Sequence, residues 1–186
     1  GRELNFSSDI DLICCYSDDG QLDGYGKLSH SQFFTLVVKL LKQFLHETTA
    51  DGFVYRVDLR LRPWGDAGPL VLSHNAIEHY YQLHGREWEQ YAMVKARVVT
   101  GSETDKSYLQ SILKPFVYRR YHDYRVFDGL AQLKLKIDQQ ANRKGTRCNV
   151  KTGKGGIREI EFFVQAFQIL KGGRNHQLQT QSLFQA

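Results

Sequence analysis

The chain has 186 residues, enough for one sizeable domain or for one domain and part of a second. Its 41% hydrophobic and 24% charged residues are ordinary for a globular protein, and no apolar run approaches the ~20 residues of a membrane span. The net charge of +5 is clustered among aromatics at Arg56, Arg60, Arg62, Lys95, Arg97, Arg119 and Arg120, a pattern that suits phosphate-bearing partners and nucleic acid alike.

Ser7 to Tyr16, SSDIDLICCY, reads as a strand with two carboxylates at its mouth. A polar, Gly-rich loop follows. Then SQFFTLVVKLLKQFLHE places Phe33, Leu36, Val37, Leu40, Leu41 and Phe44 at helical spacing, with Ser29 or Ser31 as the N-cap. DGFVYRVDLRLRP reads as a second strand stopped by Pro63. Beyond a turn and a short extended piece, Ser73 caps an expected helix that Gly85 ends. A further helix is expected over REWEQYAMVKARVV, with Trp88, Tyr91, Ala92 and Val99 near one stripe, and another over SYLQSIL, near Pro115. A longer one is expected from about Tyr124 to Asn142. The loop KTGKGG opens a last helix, with Ile157, Ile160, Val164 and Phe167 on one face and Arg158, Glu161 and Gln165 on another.

Side chains alternate along a strand, so Asp9 and Asp11 project the same way, with Ser7 on their side and Ile10 and Leu12 opposite. In the second strand Val54, Arg56, Asp58, Arg60 and Arg62 share one face. Antiparallel pairing of the two strands would set Asp58 beside Asp9 and Asp11. Three carboxylates would then hold two magnesium ions about 3.5–4 Å apart, with the arginines meeting phosphate oxygens. The rival reading is a solvated D-x-D loop end. A calcium loop is excluded, because DDGQLDG lacks the alternating acids and distal glutamate such a loop needs. Lys95 and Arg97 read either as substrate contacts or as a structural ion pair. The glycine turn before Ile157 reads either as a packing device, with Arg158 paired to Glu161, or as the rim of a site. Trp64 and Trp88 read as core anchors. Three cysteines, Cys14, Cys15 and Cys148, show no metal spacing and read as buried small apolar residues in a reducing compartment, the cytoplasm. No initiator methionine is present and Gly1 opens directly into a motif, so the chain reads as an internal stretch of a longer polypeptide.

GRELNFSSDIDL resembles the nucleotidyltransferase signature of the polymerase-β-like superfamily, in the form seen in glutamine synthetase adenylyltransferase. GFVYRVDLRLRPWGDAGPLVLS, GREWEQYAMVKARVV, PFVYRRYHDY and KTGKGGIREIEFFVQ extend the resemblance over nearly the whole chain. The forms RELNFSSDIDL, YRVDLRLRP and GGIREIEF resemble the N-terminal, deadenylylating half of that bifunctional family. The resemblance implies an α+β fold: a nucleotidyltransferase module with a small mixed sheet over residues 1–120, then the start of a uridylyltransferase-type helical domain over 121–186. It implies phosphorolysis, in which inorganic phosphate takes AMP from glutamine synthetase and ADP is released, with ADP, ATP or AMP as nucleotide ligand. It further implies that Asp9, Asp11 and Asp58 ligate Mg2+. Gly1, Ser7, Ser8, Arg60, Arg62, Lys95 and Arg97 would contact phosphate or nucleotide. Glutamine synthetase would be the protein substrate and the PII signal protein a regulator, with no nucleic acid or membrane involved. The rival readings are an ATP-dependent adenylylating domain of the same family, a uridylyltransferase acting on PII, and a basic nucleic-acid-binding module.

Overall fold

The computed structural model describes residues 8–24, 26–50, 52–119 and 156–182, with isolated positions between 128 and 139. They fall into two compact units, one up to His84 and one from Gly85 onward. The protein is mixed α/β, with short parallel strands and five α-helices among the described residues.

In the first unit the expected opening strand is broken in two, β1 (Asp9–Asp11) and β2 (Cys14–Tyr16). Helix α1 (His30–His46) follows, capped by Ser29 in a reciprocal box with Gln32. Then come β3 (Arg56–Asp58), a 3-10 turn over Gly65–Ala67, β4 (Val71–Ser73) and α2 (His74–Leu83). β1 pairs with β3 and β2 with β4, and both ladders are parallel. This corrects the antiparallel pairing and the mixed sheet expected from the sequence. A whole helix lies between β2 and β3, and such a crossover returns the chain in its original direction.

The core here is Tyr16, Val38, Val57, Leu59 and Val71, with Ile10, Leu12, Cys14, Phe34, Leu45 and Leu70 packed against it. The rings of Tyr16 and Phe34 stack at 5.4 Å. Helix α1 therefore buries a different arc from the one its sequence suggested. Val38 is 6% exposed, whereas Phe44 is 75% exposed and Leu36, Val37, Leu40 and Leu41 are open to solvent. The stretch 33–45 is apolar around most of its circumference, so spacing alone does not say which arc meets the sheet.

The second unit contains α3 (Glu87–Met93), α4 (Glu103–Val117) and α5 (Ile157–Gly172). Helix α3 stops well short of Val99, and it buries Glu89, Gln90 and Met93 rather than the expected Trp88 stripe. Ser102 and Asp105 cap α4 reciprocally, and Pro115 sits in its last turn. Helix α5 also presents an unexpected face inward. Gln165, Gln168 and Ile169 are buried, while Ile157, Ile160 and Phe167 are exposed. Gln168 tolerates burial because its amide donates to the carbonyls of Leu178 and Thr180, both at 2.8 Å. Of the helix expected over 124–142, positions 128, 129, 131, 132, 134, 135 and 139 are described and helical; the rest, like Arg120, Cys148 and Lys151–Gly155, lies outside the described residues. No helix among the described residues is long and apolar enough to cross a membrane.

Candidate active site

The site is built on the parallel pair β1–β3. Its register sets Asp9 opposite Arg56, Ile10 opposite Val57 and Asp11 opposite Asp58. Partners in a parallel ladder project to the same face, so Ile10 and Val57 turn to the core while Asp9, Asp11, Arg56 and Asp58 share the outer face. The Leu12 N–H donates to the Asp58 carbonyl at 2.8 Å and extends the ladder beyond the acids. His46, in the last turn of α1, accepts the Val57 N–H at Nδ1 at 3.1 Å, which fixes the other edge of β3. Asp11 and Asp58 end their strands, and the carboxyl ends of parallel strands are where open α/β sheets place ligands.

The charges are unequally compensated. Arg56 Nε meets Asp9 Oδ1 at 2.5 Å. Asp58 is gripped by Arg60: Nε donates to its two oxygens at 3.0 and 2.9 Å, Nη2 to Oδ2 at 2.5 Å, and the Arg60 backbone N–H to Oδ1 at 2.8 Å. The Arg60 side chain holds the Asp58 carboxyl below the ordinary carboxylate range. Asp11 is pushed the other way. Protein atoms crowd its carboxyl even though the residue is open on its outer side, and that partial desolvation, then the charges of Asp58 and Asp9, raises its pKa. Two facing acids with pKa values driven apart mark a place where one negative charge lacks its counter-ion.

Carboxylate oxygens on one face suit a hard divalent cation. The structure brings Asp11 and Asp58 face to face but does not gather all three acids around one point. Among the described residues no group of three metal-ligating side chains is clustered. Asp9 and Asp58 are instead turned to their arginines. A cation would fit here by taking over the role these guanidinium groups fill at Asp9 and Asp58.

Other expected site residues are placed differently. Arg62 is 11% exposed in its side chain and binds main chain, with Nη1 donating to the Leu59 carbonyl at 2.7 Å and Nε to that of Pro69 at 3.1 Å. It ties the β3–β4 connection together. Ser8 is half-buried beside Asp9, and Gly1 and Ser7 lie outside the described residues. Lys95 and Arg97 belong to the second unit. Lys95 Nζ meets Glu161 at 2.8 Å, which matches the structural ion-pair reading of Lys95 and pairs Glu161 there rather than with Arg158, as one of the two readings of the glycine turn had it. Trp64 and Trp88 are each more than a third exposed. Cys14 and Cys15 are half-buried and form no disulfide, and burial raises the pKa of Cys14.

Asp19 carries a role the sequence did not announce. It accepts the Tyr16 hydroxyl at 2.7 Å and the Ser73 hydroxyl at 2.9 Å, and these bonds lower its pKa. Ser73 occupies the N-cap of α2, but its hydroxyl serves this bridge instead of the helix. The bridge joins the loop after β2 to the end of β4. Nothing in the run SDDG distinguishes it from a solvated turn.

The sequence profile of the glutamate-ammonia ligase adenylyltransferase family matches residues 1–111. The chain belongs to that family. The GlnD PII-uridylyltransferase profile matches residues 131–185. Relatives named bifunctional glutamine synthetase adenylyltransferase/adenylyl-removing enzyme include those of Idiomarina loihiensis, 51% identical over 99% of this chain, and Psychromonas ingrahamii, 53% identical over 98%. The relative from Haemophilus ducreyi is 53% identical over the full chain. The chain spans about a fifth of the length of these curated relatives, 20% in each case.

Proposed function

We propose that this chain carries the adenylyl-removing chemistry of its family. Inorganic phosphate attacks the α-phosphorus of an AMP esterified to a tyrosine of glutamine synthetase. A bond forms between phosphate oxygen and phosphorus, the bond to the tyrosyl oxygen breaks, the tyrosine regains a proton and ADP departs. Such in-line transfer needs alignment and charge neutralisation more than covalent help from protein. In this reading Asp9, Asp11 and Asp58 would supply the Mg2+ ligands, for two ions. The bound cation would neutralise the transferring phosphoryl oxygens. Arg60, displaced from Asp58 by the cation, would hold the attacking phosphate. Arg62 holds the loop that carries Arg60, and Ser8 lies at the entry to β1.

The observation that carries the reading is the register of Asp11 opposite Asp58, which leaves an unbalanced negative charge at the carboxyl end of a parallel pair. The names of the relatives support adenylyl transfer in either direction. The motif forms RELNFSSDIDL and GGIREIEF favour removal. The match over residues 131–185 supports a uridylyltransferase-type helical domain after the nucleotidyltransferase module. In this reading glutamine synthetase is the cytoplasmic substrate and PII a regulator.

The test incubates the chain with Mg2+, inorganic phosphate and adenylylated glutamine synthetase, and follows ADP. Phosphate-dependent ADP release that disappears in Asp11→Asn and with EDTA is expected. Undiminished release in Asp11→Asn refutes the site. Consumption of ATP with unmodified glutamine synthetase, and no phosphate-dependent ADP, transfers the assignment to adenylylation.

A further inference from the structure

The unit from Gly85 onward contains a cleft of about 330 Å³, formed where α4, the segment after α3 and the tail after α5 meet. Its size falls at the lower end of small-molecule sites. Val94 and Val117 are buried in its floor, and Leu113 and Val98 add apolar wall. Arg97 and Lys114 also line it, and among the described residues no aspartate or glutamate does.

Lys95, Lys106 and Lys134 of the same unit each meet a glutamate. Arg97 and Lys114 meet no carboxylate among the described residues. Two uncompensated positive charges over a low-dielectric concavity focus their field into it and draw an anion. The wall is also preorganised. Gln179 donates its amide to the Gly172 carbonyl at 2.9 Å and Gln181 to the Ala96 carbonyl at 2.7 Å, so both are fixed by main chain.

We infer that this cleft is a binding site for a small organic anion, whose charged head meets Arg97 and Lys114 and whose apolar body lies on Leu113 and Val98. The cleft lies within the second unit, and its test does not depend on catalysis. The head group is a carboxylate or a phosphate monoester, and the probes separate these two.

The 186-residue chain is titrated with hexanoate, hexyl phosphate, hexanamide and inorganic phosphate while backbone amide NMR shifts are followed. Saturable shifts over residues 93–98, 113–118 and 179–181 are expected with hexanoate or hexyl phosphate, and the tighter of the two identifies the head group. The double variant Arg97→Gln/Lys114→Gln should weaken that binding about tenfold or more, since it removes charge-assisted contacts. Both positions are exposed, so the fold is preserved. Lys106→Gln, whose lysine pairs with Glu103 away from the cleft, should leave binding unchanged. Four results would each overturn the inference: no saturable shift with either hexyl anion, an equal response to hexanamide or inorganic phosphate, shifts mapping elsewhere, or binding that survives the double variant.

Discussion

At the scale of single residues, the role proposed for Asp11 is set against stability. Its raised pKa means that the folded chain holds this carboxylate less willingly than the unfolded chain does. The resulting strain is absent at low pH, where the group is protonated in both states, and it grows as pH rises through the folded pKa. Asp11→Asn removes the charge, so the variant should be more stable than the parent at pH 7 by about 0.2–1 kcal/mol, the scale of a like-charged pair facing across strands. The advantage should vanish as pH falls below the carboxylate range. Urea midpoints at pH 7 and near pH 3.5 check this; a variant less stable than the parent at pH 7 contradicts it. Asp58 carries the opposite sign. Its pKa is lowered by Arg60, so its contribution is present above the ordinary carboxylate value and is lost as pH falls through the lower folded one. The two acids look alike in the sequence, and the difference between them comes from which arginine each can reach. D-x-D and the Arg/Asp strand were legible as one site because strand alternation is a local rule. The strand direction was not legible, since it depends on where a helix returns the chain.

At the scale of elements, α1 and the β3–β4 connection show what a pattern does and does not determine. The existence, limits and cap of α1 follow from Ser29, Gln32 and its long apolar run. Its buried arc does not follow, because the sheet selects Phe34, Val38 and Leu45 from a helix that offers apolar side chains on several sides. Val38→Ala should therefore cost about 2 kcal/mol as a core truncation. Leu40→Gln on the outer arc should change stability by less than about 0.5 kcal/mol. Chemical denaturation of both variants decides it, and equal losses would mean that both arcs are covered. In the β3–β4 connection, Trp64 and Gly65 both take left-handed backbone, with φ of 59° and 58°. Trp64 is held there with its ring edge-on to Tyr80 at 4.6 Å. Gly68 then passes so close to Pro63 that an added Cβ would lie 2.2 Å from the Pro63 carbonyl oxygen. That contact is backbone and has no rotamer to escape into. Gly68→Ala should destabilise by about 3 kcal/mol, at the upper end of overpacking. It should also displace the loop that Arg62 secures, so loss of activity should accompany the drop in urea midpoint.

At the scale of the whole chain, the two units differ in how much of them the sequence disclosed. The first unit's site was disclosed through carboxylates and arginines at strand spacing. The second unit's packing turns on Gln165, Gln168 and Glu89, buried polar residues that periodicity ranks as surface; main-chain groups meet Gln168 and Glu89. If the first unit holds Mg2+ through Asp11 and its neighbours, binding and folding are coupled, because the unfolded chain has no such face. The unfolding free energy then rises as RT ln(1 + [Mg2+]/Kd), about 2.7 kcal/mol at one hundred times Kd. The expected result is a melting temperature that climbs with Mg2+ at constant ionic strength in the parent chain. No such climb should occur in Asp11→Asn, which begins more stable and has lost the ligand whose charge made the site. Constant ionic strength removes general screening from the comparison, because added salt would weaken the Asp9–Arg56 and Asp58–Arg60 pairs in both chains and relieve the Asp11–Asp58 repulsion in the parent alone. Any rise shared by parent and variant then comes from cations held elsewhere. A parallel rise in both would therefore remove Asp11 from the cation site, even if the chain proved to release ADP.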